Sequence, residues 1–172
     1  MNLLLDTHIA IWALNDAPEL SRKARNLILN PDNTIYYSAV SVWEVMLKHA
    51  KSPDRIPFNE EDFSNGCKGA GFISLNLSDK HILEVSKLSR PEDIKEHNDP
   101  FDRLLIAQAK SENLSFITHD GLISGYDERC IIHVCANSGT EDSFSDSYSS
   151  SFLIFFGVCV RRYSTHRGTT FG

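Results

Sequence analysis

Short runs of consecutive apolar residues recur along the chain, and segments of helical spacing fill the intervals. Leu3-Leu4-Leu5 opens the series, and residues 2–6 read as a strand. Ile9, Ile11, Trp12 and Leu14 then suggest a short helix that stops near Asn15-Asp16-Ala17-Pro18. Residues 21–29 read as a second helix, with Ala24, Leu27 and Ile28 on one side, before the turn chemistry of Asn30-Pro31-Asp32-Asn33. Ile35-Tyr36-Tyr37-Ser38 is the second strand. Residues 40–50 form a helix carrying Trp43, Met46 and Leu47, a loop covers 52–57, and residues 59–70 are helical with Asn59 as N-cap. Phe72-Ile73-Ser74-Leu75 is the third strand, and Ser78 starts a helix through Ile82, Val85 and Leu88. Residues 89–98 are polar, contain Pro91, and read as loop. A helix over 101–112, a strand over 114–118 and a last strand over 130–134, at an edge, complete the series. Continuous apolar runs are the mark of strands buried on both faces, and their alternation with helices predicts an α/β fold with a central parallel sheet.

After Val134 the texture changes. Residues 135–172 hold 8 Ser, 4 Gly and 4 Thr but no lysine, and 143–151 are low in complexity. The expected organisation is one domain over residues 1–134 and a tail over 135–172, either disordered or a non-native extension.

Composition narrows the class. At 172 residues and 41% hydrophobic, the chain has enough apolar mass for one real core. The net charge of −6 argues against a protein that coats nucleic acid, though a carboxylate metal site would itself lower the formal count. Cys67, Cys130, Cys135 and Cys159 form no CxxC pair, which suggests reduced thiols in a cytoplasmic protein. The N-terminus lacks the basic start of a signal peptide, and the apolar stretch 152–160 falls short of the ~20 residues that span a bilayer, so no membrane role is expected.

The acids change the picture. Asp6 ends the first strand and Asp120 follows the fourth, so the topology of a parallel sheet brings both to its carboxyl edge, where ligands bind. Each has a bland reading as a cap, Asp6 for the next helix and Asp120 for the turn before Gly121. Glu44 shares a helix face with Val40 and Leu47, where a carboxylate needs a partner unless its head snorkels to water. Asp99 before Pro100 is the signature of an N-cap followed by the first helical residue. Asp102 stands three, four and seven residues before Leu105, Ile106 and Ala109, so it faces the apolar side, where a pure capping acid has no need to be. Thr118 sits two residues before Asp120, and a hydroxyl and a carboxylate there can hold a water or a phosphate oxygen.

Gathered carboxylates repel one another and call for protons or cations. With oxygen donors alone the expected cation is Mg²⁺ or Mn²⁺, which points to metal-assisted phosphodiester chemistry. Asp6, Glu44, Asp102 and Asp120 are the candidate acids of such a site. His8, His49, His81, His97, His119, His133 and His166 show no metal-binding pair on a helix, and surface or packing roles are expected of them. No phosphate-binding glycine loop and no Ser or Cys nucleophile motif is visible. Leu3-Leu4-Leu5-Asp6-Thr7-His8 superficially resembles the first motif of aspartate-nucleophile phosphatases, but His8 stands where a second Asp is required. A metal- or partner-binding module with little cleavage is the alternative outside enzymology.

Three segments carry a wider resemblance: residues 3–8, Ser38-Ala39-Val40-Ser41-Val42-Trp43-Glu44-Val45, and Asp99-Pro100-Phe101-Asp102-Arg103-Leu104-Leu105-Ile106-Ala107-Gln108-Ala109. It continues through 114–120. In order and spacing, residues 1–134 resemble a PIN domain of the VapC toxin type. The resemblance implies a three-layer α/β/α fold and a Mg²⁺- or Mn²⁺-dependent endoribonuclease, with Asp6, Glu44, Asp102 and Asp120 as its catalytic acids; it implies Asp6, Asp102 and Asp120 as the metal ligands, with Asp99 and Thr118 as accessories. It also implies a homodimer held inactive by a small antitoxin protein. Residues 51–57 depart from the family's usual connection, and residues 135–172 have no counterpart in it.

Overall fold

The computed structural model describes residues 1–54, 56–89 and 99–134. The tail over 135–172, with Cys135, Cys159 and His166, and most of the loop over 89–98, including His97, lie outside the described residues. The elements run β1 (Asn2–Leu5), α1 (Thr7–Leu14), α2 (Arg22–Leu29), β2 (Thr34–Ser38), α3 (Ala39–Lys51), α4 (Glu60–Gly69), β3 (Ile73–Leu75), α5 (Asp79–Val85), α6 (Pro100–Glu112), β4 (Ser115–Thr118) and β5 (Ile131–His133).

Among the described residues all five strands are parallel, in the order β3-β2-β1-β4-β5. β1 lies at the centre, with Leu4 opposite both Tyr36 of β2 and Phe116 of β4. Leu3, Leu4 and Leu5 are all inaccessible to solvent, as a run covered on both faces requires. Leu3 and Leu5 join Ile35, Tyr37 and Ile117 under α1, α2 and α4, where Ile9, Leu14, Ile28 and Phe63 fill one core. Leu4 and Phe116 face the other way, against Leu105, Ile106 and Ala109 of α6. The result is the expected three-layer α/β/α arrangement. α3 contributes Val45 to the first core and Val40 to the second, so it bridges the two layers. Truncating Leu4 to Ala would cost about 2–5 kcal/mol, the usual range for a filled core position.

The caps follow the sequence. Ser21 Oγ accepts from the Ala24 amide, Asn59 and Asp62 form a reciprocal capping box, and Asp99 accepts from the Phe101 amide at 2.8 Å with Pro100 at the first helical position. Asn113 ends α6 in the left-handed region at φ 54°, which Asn tolerates better than most residues.

Three expectations shift. The helix begun at Ser78 ends at Val85, so Leu88 lies beyond it. Its Ile82 is exposed, and the buried member is His81, which pairs with Glu112 at 2.7 Å and meets Ser78 at the helix start. On α3, Trp43, Met46 and Leu47 are 46%, 38% and 43% exposed, so Leu47 does not share a buried face with Glu44. The buried α3 residues are Val40, Ser41, Glu44 and Val45, because the helix turns its hydroxyl and carboxylate stripe inward. Cys67 and Cys130 are free thiols. Among the described residues no helix is long and apolar enough to cross a membrane.

Candidate active site

The strand order changes direction between β1 and β4, and in open parallel sheets the crevice at that point is where ligands sit. β1 delivers Asp6 there, and β4 delivers Thr118 and Asp120 just beyond its end. The Asp6 amide donates to the Ile117 carbonyl at 2.9 Å, which locks the two strand ends together. Asp6 also caps α1, accepting from the His8 amide at 3.1 Å, so its bland role is real. Its other oxygen serves the site instead and accepts a 2.6 Å hydrogen bond from the buried Thr118 hydroxyl. Thr118 in turn accepts from the Asp120 amide at 3.1 Å. The Thr118 proton is therefore committed to Asp6 rather than held out for a water or phosphate. Asp120 caps its own turn through the Leu122 amide at 2.8 Å.

Glu44 is 5% exposed. The Thr7 hydroxyl donates to its Oε2 at 2.6 Å and shares a 2.9 Å hydrogen bond with Ser41. Lys48 Nζ lies 2.6 Å from its Oε1. α3 and α6 are tied by the buried Gln108, whose Oε1 accepts from the Ser38 hydroxyl and whose amide donates to the Asn76 carbonyl at 3.3 Å. That bond sets the start of the helix bearing Glu44 against the helix bearing Asp102.

Electrostatics show what the fold brings together. The Asp102 carboxyl is pushed up to about 8, first by burial and then by the negative charges of Asp6, Asp99, Glu44 and Asp120. The other four predicted acids thus act on Asp102, and the five come from four separate stretches of chain. Asp6 goes the other way. Burial would raise its carboxyl, but the His8 imidazole and the Thr118 hydroxyl outweigh burial and hold it below the usual range. His8 is raised chiefly by Asp6, with Nδ1 3.8 Å from the carboxylate.

Two sets of rings stand near these acids, one around His8 beside Asp6 and one at the sequence neighbours of Glu44 and Asp102. On the α1 side His8, Trp12 and His119 form a cluster, with Trp12 and His119 centroids 4.3 Å apart. On the α6 side Trp43 meets the edge of Phe101 at 4.9 Å. Trp12 packs against the first core and Phe101 against the second, so the two sets belong to opposite layers. From sequence His119 stands merely near the acids, and neither His8 nor Lys48 is expected at the site. Two signals point to them all the same: His8 follows Asp6 by two residues, and Lys48 follows Glu44 by one helical turn.

The donors offered are oxygens, the type that suits Mg²⁺ or Mn²⁺, and the strain on Asp102 is of the kind a cation relieves. The residue set therefore fits a hard divalent ion. Among the described residues, no three His, Cys, Asp or Glu side chains form a closed ligand set as placed. The acids meet at charge-interaction range.

By structure the chain resembles VapBC2 from Rickettsia felis bound to a DNA fragment from its promoter, with a TM-score of 0.57 and 19% identity over 78% of this chain and 99% of that one. It also resembles VapBC-1 from nontypeable Haemophilus influenzae, at a TM-score of 0.46 and 18% identity over 70% of this chain and 87% of that one. The first likeness bears on fold alone. No curated protein matches the chain in sequence. The PIN domain family model matches residues 3–128, well over half of the chain, in the span that supplies every acid of the site; the chain belongs to the PIN domain family.

Proposed function

We propose that this protein is a Mg²⁺- or Mn²⁺-dependent endoribonuclease of the VapC toxin type, cleaving structured RNA such as tRNA. The observation that carries the reading is the raised carboxyl of Asp102, surrounded by the charges of Asp6, Asp99, Glu44 and Asp120 at the sheet's switch point. Asp6, Asp102 and Asp120 would hold the ion, which supplies charge neutralisation at phosphorus and an acidified water.

The chain's own residues do the rest. Thr118 and His8 keep Asp6 ionised and aimed. Thr7 fixes Glu44, which would orient the attacking water or help to hold the ion. Asp99 starts α6 so that Asp102 stands in its first turn. The ring pairs Trp12–His119 and Trp43–Phe101 offer stacking surfaces for bases near the acids. Splayed bases in single-stranded loops are what such surfaces recognise. In-line attack would leave a 5′-phosphate and a 3′-hydroxyl.

The catalytic unit is residues 1–134. Val134 is buried, and its amide donates to the Thr118 carbonyl at 2.9 Å, so it closes the edge of the site-bearing sheet. The working assembly is a cytoplasmic homodimer restrained by a cognate antitoxin. The resemblance of residues 1–134 to VapC toxins supports that assembly, and the R. felis neighbour is itself a VapBC complex.

The test is incubation of purified protein with total tRNA and rRNA, in Mg²⁺, Mn²⁺ or EDTA, beside Asp6→Asn and Asp102→Asn variants. Metal-dependent cuts absent from both variants are expected. A folded, ion-loaded protein that cuts neither RNA would overturn the reading in favour of a binding module.

A further inference from the structure

We propose that Lys48 is a positioning residue of this site, an internal cation that holds Glu44 and competes with the divalent ion for it. The inference rests on the nuclease reading above. A Glu–Lys pair one helical turn apart on an exposed surface would be ordinary, worth a few tenths of a kcal/mol. This pair differs in its acid. Glu44 is buried, with one oxygen fixed at 2.6 Å by Thr7 and the other 2.6 Å from the Lys48 ammonium. A buried carboxylate is costly without compensating charge, and Lys48 supplies it. The same ammonium lies 3.3 Å from His8 Nε2, so it links α3 to the residue beside Asp6 on α1. Lys48 itself is 39% exposed on its side chain, which lets it move without opening the core.

Two consequences follow, with opposite signs. The Oε1 of Glu44 becomes available to an ion only as Lys48 gives way. Removing the ammonium therefore leaves one more negative charge beside Asp102, and divalent ions bind more tightly. The same removal leaves Glu44 tethered at one oxygen, so the attacking water is less well oriented and cleavage slows. Neutralising any of the acids moves both quantities down together. Lys48 is set apart by moving them in opposite directions.

The experiment compares wild type, Lys48→Met, Lys48→Arg and Asp102→Asn in the full chain. Mn²⁺ affinity is measured by calorimetry without RNA, and cleavage of total tRNA is measured at saturating Mn²⁺. Lys48→Met is expected to bind Mn²⁺ on the order of tenfold tighter, the scale of one unit charge at the edge of a divalent site. Its cleavage rate should fall about tenfold, and Lys48→Arg should restore both values toward wild type. Mn²⁺ binding that is lost in Asp102→Asn but equal in wild type and Lys48→Met overturns the role of Lys48 alone. Wild-type protein that binds no Mn²⁺ overturns the metal-nuclease reading and this inference with it.

Discussion

The end of β1 and the first turn of α6 each present one aspartate to the same crevice, and the two carboxyls are driven in opposite directions. Asp6 is the more buried, yet it is held below its usual range because a buried hydroxyl and an imidazole attend it. Asp102 is half-buried, yet it is pushed up to about 8 because burial and four neighbouring acids act on it together. Burial alone does not decide the state of a buried acid; the sign of what surrounds it does. One region is organised to keep its charge without help. The other holds a proton at neutral pH, which a nearby cation would displace.

The largest test of this contrast is to remove each charge in turn. Asp6→Asn and Asp102→Asn should each lower RNA cleavage by at least about 100-fold, the loss of a few kcal/mol of transition-state stabilisation. Their stabilities should diverge. Asp102 binds its proton more tightly folded than unfolded, so between about pH 4 and 8 the ion-free protein loses stability as pH rises. Asp102→Asn removes that loss and should raise the ion-free melting temperature at pH 8 by roughly 3 °C or more. Asp6 has a lowered folded value, so it stabilises above its unfolded range, and that contribution is lost as pH falls. Asp6→Asn should therefore lower the melting temperature at pH 8. Variants that shift in the same direction would break the comparison.

A proton must leave Asp102 before an ion is bound there. Calorimetric Mn²⁺ affinity should fall by about tenfold per unit as pH drops from 8 to 6. A flat profile would mean that the ion does not use Asp102. Thr118→Val keeps the shape but removes the donor to Asp6. It should lower cleavage about tenfold and cost roughly 1–3 kcal/mol in denaturant unfolding, because Asp6 is left less well paired. The smallest effect is expected at the ring pairs: Trp43→Ala should raise KM for tRNA severalfold and leave kcat near wild type.

Much of this is legible in the residues. Apolar runs mark the strands and their central burial, Asp99-Pro100 marks the start of α6, and the spacing of Asp102 to Leu105 and Ile106 marks its inward placement. The tertiary partners are less legible. That Thr118 spends its proton on Asp6 depends on the pairing of strands more than a hundred residues apart, which no local pattern encodes. Trp43, Met46 and Leu47 have the spacing of a core stripe but are exposed, because buried Ser41 and Glu44 claim the inward face of α3. Periodicity counts apolar side chains and cannot anticipate a polar face that is buried for its chemistry. His8 and Lys48 escape notice for a related reason: each acts through an acid rather than as part of a recognisable ligand motif.

The pairing of Leu5 with Ile117 has a consequence for synthesis. During synthesis β1 leaves the ribosome before its neighbour at the site, which emerges more than a hundred residues later. Until then Asp6 has neither Thr118 nor Asp120 beside it. On the proposed reading, the nascent chain carries no assembled site toward RNA until β4 has been made and has paired with β1.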